Sequence, residues 1–227
     1  MKKRVLFCFL ATLFCYLATS SEAKEWVRRR ESIEWIKSTA WNAPRNNLPR
    51  VLLIGDSICN RYSQPVCNAL KGKANVVFLA TSKCVCDKSY LRLLAFMLDE
   101  YRYDVIQFNN GLHSLVSDNK QWAAQLQEAI RLIKSKAKGA TLVWATSTPL
   151  RGPKMTARCR ELNAIAAKIM TEEKVPTLDL FALMDPLDRK AYWVDDYHHN
   201  RAGIAIQTRA ISENILKILK ERAAQGK

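Results

Sequence analysis

The stretch Val51-Leu52-Leu53-Ile54-Gly55-Asp56-Ser57-Ile58 is a short aliphatic run that ends in a polar turn. A run of this length without alternation is typical of a strand that is covered on both faces of a parallel sheet. Gly55 lets the backbone turn sharply where the strand ends, and open α/β sheets build their sites at the carboxyl ends of their strands. The pattern therefore predicts that Ser57 stands at this edge with its hydroxyl exposed.

Similar apolar runs follow along the chain and alternate with helical patterns. The predicted strands are Val51–Ile54, Val76–Leu79, Val105–Phe108, Leu142–Ala145 and Thr177–Leu180. The predicted helices cover Lys24–Ser38, begin near Ser63, after Asp87 and after Asp118, and cover Met155–Glu172 and Ala202–Lys220. This alternation predicts one domain with a three-layer α/β/α fold, doubly wound around about five parallel strands.

Residues 1–23 have the pattern of a secretory signal peptide. A basic start, Met1–Arg4, precedes the apolar run Val5–Leu17, and Ser21-Glu22-Ala23 supplies the small residues of a cleavage site. The apolar run is too short to span a bilayer comfortably. We therefore expect an exported mature domain of residues 24–227 with no stable membrane span, and an uncleaved anchor is the alternative.

The formal net charge of the full chain is +15, which favours anionic partners such as acidic polysaccharide, phospholipid or nucleic acid. The basic residues are spread along the chain without a block of five like charges, and the sequence has no zinc-finger or RNA-binding signature. We therefore expect no nucleic-acid partner. The sequence leaves the oligomeric state open.

Five of the seven cysteines lie beyond the predicted cleavage site: Cys59, Cys67, Cys84, Cys86 and Cys159. An odd number in an oxidising compartment is compatible with two disulfides and one free thiol, and the sequence leaves the pairing open. Cys84-x-Cys86 does not have the two-residue spacing of a zinc knuckle or a thioredoxin motif. We expect no metal site and no cofactor.

A serine hydroxyl becomes a useful nucleophile when a base takes its proton, and histidine is the usual base. The chain has only three histidines: His113, His198 and His199. Asp195 lies three residues before His198, so one loop can bring its carboxylate to Nδ1 and leave Nε2 for Ser57. Asp196 and His199 are the alternative pair.

Taken together, the two ends of the chain resemble the SGNH/GDSL hydrolase family. Gly55-Asp56-Ser57-Ile58 is similar to its first motif, and Asp195-x-x-His198-x-Asn200-x-x-Gly203 is similar to its last, which favours His198 over His199 as the base. The resemblance covers about residues 50–220. It implies a flavodoxin-like strand order and a triad of Ser57, His198 and Asp195.

The middle motifs depart from the form that is usual in the family. Its third motif is commonly Gly-x-Asn-Asp, and the matching segment here reads Asn109-Asn110-Gly111-Leu112-His113. The resemblance therefore implies that His113, with Asn109 or Asn110, donates to the oxyanion beside Gly111. Thr81–Cys86 lacks the glycine of the second motif, so its backbone donor, near Lys83 or Cys84, is left open.

The resemblance implies a secreted serine esterase that acts on carboxylic esters of small molecules or polysaccharides. An O-acetyl ester on carbohydrate is the first expectation, and lysophospholipid or short-chain esters come next. The main alternative is a non-catalytic SGNH-like glycan-binding module whose oxyanion hole has decayed. A flavodoxin-like phosphate or nucleotide binder is disfavoured because the sequence has no glycine-rich phosphate loop.

Overall fold

The centre of the molecule is a six-stranded sheet, seen in a computed structural model that describes residues 31–226. The strands are β1 (Ile36–Ala40), β2 (Arg50–Gly55), β3 (Asn75–Thr81), β4 (Val105–Phe108), β5 (Thr141–Ala145) and β6 (Thr177–Leu178). The helices are α1 (Ser57–Ala69), α2 (Tyr90–Glu100), α3 (Asn119–Lys136), α4 (Pro153–Glu172), α5 (Leu180–Met184), α6 (Arg189–Tyr192) and α7 (Arg201–Ala224). The predicted signal peptide of residues 1–23 lies outside the described residues.

The strands are ordered β1-β3-β2-β4-β5-β6 across the sheet. The five strands from β2 to β6 are parallel, whereas β1 runs antiparallel to β3 at the edge. The chain thus winds outward in both directions from β2. The carboxyl end of β2 therefore lies at the point where the winding direction changes. The predicted three-layer, doubly wound fold and its flavodoxin-like order are confirmed.

The aliphatic run of β2 supplies both halves of the core because successive side chains of a strand point to opposite faces. Val51 and Leu53 pack on the face that α1 and α7 cover, whereas Leu52 and Ile54 pack on the face of α2 and α3. All four side chains have no solvent exposure. Burial on both sides is the reason that this strand shows no polar alternation.

The structure corrects the prediction of a helix over Lys24–Ser38 where it describes that segment. Residues 31–35 are not helical, and Ile36–Ala40 forms β1. Ile33 and Ile36, which an amphipathic helix over this segment would bury, are 75% and 50% exposed. A short edge strand with one partner buries little, so its sequence lacks the apolar run that marked the other strands.

Two element boundaries also differ from the sequence-based expectation. The first helix begins at Ser57, not near Ser63, because the Asp56 side chain caps it, and Pro65 lies inside the helix. The last strand stops at Leu178 because the Asp179 side chain accepts from the N–H of Ala182 and starts α5. The five cysteines of the described residues are free thiols.

No helix within residues 31–226 combines the length and the apolarity that a bilayer crossing requires.

Candidate active site

Ser57 is the first residue of α1, directly after the turn that leaves β2. Oδ1 of Asp56 accepts a hydrogen bond of 2.9 Å from the N–H of Ile58, which fixes the start of the helix. A Cβ at Gly55 would lie 2.6 Å from Cβ of Cys59, so the glycine lets the strand end pack closely against the helix. The half-buried Ser57 is thereby held at the carboxyl edge of the sheet.

Ser57, His198 and Asp195 come together at this edge although 141 positions separate the serine from the histidine. Oγ of Ser57 lies 2.8 Å from Nε2 of His198. On the other side of the ring, Nδ1 lies 2.8 Å from Oδ2 of Asp195 and 3.0 Å from Oδ1. An Nδ1–H that donates to the carboxylate leaves the lone pair of Nε2 directed at the serine hydroxyl.

The Asp195 carboxylate is ionised at neutral pH. Partial desolvation opposes its charge, but hydrogen bonds from the backbone N–H groups of Tyr197 and His198 and from the His198 ring outweigh it. Together they lower the pKa of Asp195 to about 2. The carboxylate therefore stays negative beside the imidazole at neutral pH.

The alternative pair, Asp196 and His199, has a different environment. His199 is buried, its ring packs on Trp193 with 4.4 Å between ring centroids, and Nδ1 lies 2.8 Å from the Gln207 amide. Desolvation, followed by the charge on His198, lowers the pKa of His199 to about 4, so it is neutral at pH 7. Asp196 accepts through its backbone carbonyl from the N–H of Arg151. Contact with Ser57 thus distinguishes His198 from its neighbour.

The residues that follow His198 shape the loop that carries it. Oδ1 of Asn200 accepts from the N–H groups of Ala202 and Gly203, both at 3.0 Å, and so caps α7. A Cβ at Gly203 would lie 2.8 Å from Cβ of His199, so only glycine leaves room for the buried ring. The spacing of His198, Asn200 and Gly203 therefore reflects a helix start that holds the loop in place.

Asn109 and Asn110 follow β4 and lie at the same edge, where both are buried. Nδ2 of Asn109 donates to the carbonyl of Ala145 at 2.7 Å and to Oγ of Ser147 at 3.0 Å. Both hydrogens of this amide are therefore engaged with the segment after β5. A donation from Asn109 to a substrate requires that one of these bonds be exchanged.

The Asn110 carboxamide holds the loop after β3. Its Oδ1 accepts from the N–H of Val85 at 2.8 Å, and its Nδ2 donates to the carbonyl of Lys83 at 2.9 Å. In the same loop, the N–H of Lys83 donates to Oγ1 of Thr81 and that of Cys84 to Oδ2 of Asp87. The two backbone groups considered as second-motif donors are thus engaged within the loop.

Gly111 and His113 continue from these asparagines. A Cβ at Gly111 would lie 1.8 Å from Oγ of Ser147, so the backbone approaches that hydroxyl too closely for any side chain. His113 lies in a short 3-10 turn, Leu112–Ser114, and its Nδ1 is 2.6 Å from Oε1 of Glu31. Its ring also meets Trp35 edge-on, with 6.3 Å between centroids. His113 is therefore tied to the segment that precedes β1.

Two polar residues of this edge were assigned no role by the sequence. Asn163 on α4 accepts from the N–H of Ser147 at 3.0 Å and donates to its carbonyl at 2.9 Å. Ser147 in turn accepts from Asn109. The pattern Thr146-Ser147-Thr148-Pro149 marks a strand end in the sequence, but no local signal pairs it with an asparagine on the following helix.

No group of three His, Cys, Asp or Glu side chains within residues 31–226 is arranged to hold a metal ion.

Comparisons with known proteins bear on this edge. The model of the GDSL-like lipase/acylhydrolase family matches residues 53–206, from β2 to the first turns of α7. The match includes Ser57, Asp195 and His198. No protein with a curated description matches the chain significantly in sequence.

Several solved structures share the fold at low sequence identity. A lipolytic protein of the G-D-S-L family from Veillonella parvula DSM 2008 is 15% identical, with a TM-score of 0.61 over 72% of this chain and 96% of that chain. The acetyl xylan esterase AlAXEase is 15% identical, with a TM-score of 0.62 over 73% and 99% of the two chains. An active-site mutant of a family two carbohydrate esterase from Clostridium thermocellum is 12% identical, with a TM-score of 0.59 over 76% and 64%.

At these identities the solved structures establish the fold alone, whereas the family model extends over most of the described domain. The chain belongs to the GDSL-like lipase/acylhydrolase family.

Proposed function

We propose that this protein is a serine esterase in which Ser57 is the nucleophile, His198 the general base and Asp195 the carboxylate that orients the base. The observation that carries the proposal is the continuous contact from Oγ of Ser57 to Nε2 of His198 and from Nδ1 to Asp195, at 2.8 Å in each step. This is the geometry that activates a hydroxyl for acyl transfer.

The reaction proceeds in two halves. His198 takes the hydroxyl proton as Ser57 attacks the ester carbonyl, and it returns that proton to the departing alcohol. Water then attacks the acyl-serine while His198 takes one of its protons and gives it back to Ser57, which releases the carboxylic acid. Asp195 remains charged throughout and stabilises the imidazolium that forms in each half.

The N–H of Ser57 is the first oxyanion donor that we assign. It belongs to the first residue of α1, where a helical N–H has no acceptor within its own helix and the helix dipole favours negative charge. His113 and Asn109 remain the candidates for further donation. Each donor of this kind is typically worth about 2.7–4 kcal/mol in the transition state.

For the substrate we propose an O-acetyl ester carried by a carbohydrate. Proteins with similar folds include an acetyl xylan esterase and a carbohydrate esterase. The first supports an acetyl group as the acyl part of the substrate, and both support a carbohydrate as its alcohol part. The net charge of +15 is compatible with an acidic glycan.

Acetate release from acetylated xylan, acetylated pectin and an aryl acetate tests the proposal. We expect release by the wild type and loss of at least a thousandfold in kcat for Ser57→Ala and for His198→Ala. Ser135→Ala, which changes an exposed serine on α3, is the matched control and should leave kcat unchanged. Hydrolysis of the aryl acetate alone would contradict the carbohydrate assignment but would still support the esterase assignment.

A non-catalytic glycan-binding module is the second candidate. The observation that favours it is the engagement of Asn109 with Ala145 and Ser147 and of His113 with Glu31, because these side chains then contribute little to an oxyanion. Calorimetric titration with the same acetylated polysaccharides separates the candidates. Tight binding that persists for hours without release of acetate would favour the module.

We also propose that residues 1–23 direct export of the protein. The support is the order of basic, apolar and small residues in that segment. Expression with the native N-terminus, followed by N-terminal sequencing of the secreted chain, should give a start at Lys24. Retention of Met1 on a membrane-bound protein would contradict the proposal.

A further inference from the structure

Cys84 and Cys86 lie in the loop between β3 and α2, at the edge of the sheet where the parallel strand β2 leads to Ser57. Only Val85 separates them, and its N–H donates to Oδ1 of Asn110. Asn110 in turn directly precedes Gly111. The two thiols therefore flank the point at which this loop is fastened to the active-site edge.

The Cys84 sulfur is surrounded by hydrogen-bond donors. It lies 3.1 Å from Oγ of Ser114 and 3.5 Å from Oγ of Ser117, and it accepts from the backbone N–H of Cys86 at 3.3 Å. Donors around a sulfur stabilise its thiolate, which is the reactive form of cysteine.

The pKa values follow this arrangement. The adjacent Cys86 thiol has the largest effect, burial opposes it, and the serine hydroxyls and the Cys86 N–H assist it, so the pKa of Cys84 lies below its ordinary value. The adjacent Cys84, together with burial, raises the pKa of Cys86. Cys84 is therefore the more acidic of the two thiols.

The other cysteines of the described residues differ in this respect. Burial raises the pKa of Cys59, of the half-buried Cys67, and of Cys159, the last to about 12. They have the properties of packing residues and provide internal controls for the pair.

We propose that Cys84 and Cys86 form a redox-active dithiol whose closure to a disulfide lowers the activity of the adjacent site. Cys86 is partly exposed, whereas Cys84 is buried. An external disulfide such as oxidised glutathione therefore reacts first at Cys86. The Cys86 proton passes to the adjacent Cys84 thiolate as the Cys86 sulfur attacks to form a mixed disulfide, and one glutathione leaves as a thiolate that takes a proton from water. The Cys84 sulfur then attacks Cys86 and displaces the second thiol, which takes the remaining proton. The two cysteine sulfurs thus lose two electrons in forming one S–S bond, and the external disulfide gains them in becoming two reduced thiols.

Closure changes the loop that Asn110 holds. Three contacts of the Cys84 sulfur depend on the reduced, open position of the thiols. They are the contacts with the Cys86 N–H, with Oγ of Ser114 and with Oγ of Ser117. Val85 lies inside the new ring, and its bond to Asn110 links the ring to the segment 109–113. This effect on activity rests on the proposed esterase function, whereas the thiol chemistry does not.

The thiol chemistry is tested by equilibrating folded protein in glutathione buffers of increasing oxidised fraction, quenching with iodoacetamide in denaturant and digesting with trypsin. Cleavage after Lys83 and Lys88 releases a peptide, Cys84–Lys88, that contains both thiols. We expect it to change from a doubly alkylated form to an unlabelled form lighter by two hydrogens than the unlabelled dithiol. Peptides with Cys59 and Cys159 should remain alkylated. A doubly alkylated peptide at every ratio, or a stable glutathione adduct at Cys86, would overturn the proposal.

The effect on activity is followed in the same buffers with an aryl acetate. The initial rate should fall at least fivefold along the oxidation curve of the Cys84–Lys88 peptide, and dithiothreitol should restore it. Cys86→Ser keeps a hydroxyl donor beside Cys84 and should lose the redox response, whereas Cys67→Ser should keep it. An unchanged rate in fully oxidised protein would overturn the link to the site. A reduced protein that oxidises as expected but hydrolyses no ester would contradict the proposed function instead.

Discussion

At the scale of single residues, the site depends on close contacts that leave no room for a Cβ and therefore require glycine. Gly111 is the clearest case, because the space of its missing Cβ is occupied by Oγ of Ser147. That hydroxyl accepts from Asn109, and Asn163 holds the backbone of Ser147 from the other side. Gly111 therefore determines where three polar side chains of the edge stand.

Gly111→Ala should displace Ser147 and reduce kcat by at least tenfold, with a loss of roughly 1–3 kcal/mol in the free energy of unfolding from overpacking. Steady-state kinetics and urea unfolding measure the two effects. Gly152→Ala is the matched control, since a Cβ at that position would meet no atom of residues 31–226 within 4 Å apart from its local backbone and chain neighbours. Equal kinetics for both variants would contradict the role given to Gly111.

In the proposed mechanism, Asp195 acts on His198 through the tautomer that it selects. In Asp195→Asn the carboxamide oxygen can still accept from Tyr197 and His198, but its NH2 group favours an Nδ1 without a proton and so leaves Nε2 protonated toward Ser57. We expect kcat to fall by about 10³–10⁴-fold. The neighbouring Asp196→Asn should retain activity, and a comparable loss there would contradict the choice of Asp195.

At the scale of elements, the loop between α6 and α7 owes its shape to the buried His199. Its folded-state pKa of about 4 lies below the ordinary value of 6.5, so between these values the unfolded chain binds more protons than the folded one. The contribution of His199 to the free energy of unfolding is therefore complete above pH 6.5 and is lost as the pH falls toward 4.

His199→Asn removes the titration and keeps an oxygen that can accept from Gln207. Between pH 7 and pH 4.5 the wild type should lose about 2 kcal/mol more of its free energy of unfolding than the variant does. Urea unfolding at the two pH values measures the difference. Parallel losses in both proteins would mean that His199 does not control the acid stability.

The elements also mark how far the sequence determines the fold. The strands β2 to β5 were predictable because each is buried on both faces and reads as an apolar run. The edge strand β6 was predicted two residues too long, and its two residues are only partly covered. β1 was not predictable, because an exposed edge strand is specified by its pairing with β3, a contact distant in sequence. The start of α1 had a local signal in Asp56, but the later Pro65 obscured it.

The candidate site likewise has residues that the sequence predicts and contacts that only the tertiary fold determines. Ser57, Asp195 and His198 could be chosen from the sequence because a short polar motif follows a buried strand at one end and precedes a helix at the other. The partners of Asn109, Asn110 and His113 could not, since Ser147, Val85 and Glu31 are brought to them by three different connections of the fold. Motifs identify reactive groups, whereas tertiary contacts decide which amides remain available to donate.

At the scale of the whole molecule, one face of the sheet supports the two helices that position the site. α1 carries Ser57 and packs beside α7, whose capped start holds the loop of His198. Leu53 lies beneath them, on the face that these two helices cover. The core therefore fixes the distance between two groups from opposite ends of the domain.

Leu53→Ala should remove roughly 2–5 kcal/mol from the free energy of unfolding by leaving a cavity under α1 and α7. Leu183→Ala, at a position that is 38% exposed, is the matched control and should cost less than about 1 kcal/mol. Thermal and urea unfolding provide the comparison. Equal losses would contradict the assignment of Leu53 to the core.

The central claim is that Ser57 and His198 act on one proton, and covalent capture of the serine tests it most directly. A fluorophosphonate reacts with a serine that a base activates, and the tryptic peptide Val51–Arg61 contains Ser57 as its single serine. The account predicts stoichiometric phosphonylation of this peptide in the wild type, none in Ser57→Ala, and strongly slowed labelling in folded His198→Ala. Absence of the adduct from the folded wild type, or labelling that proceeds equally fast without His198, would contradict it.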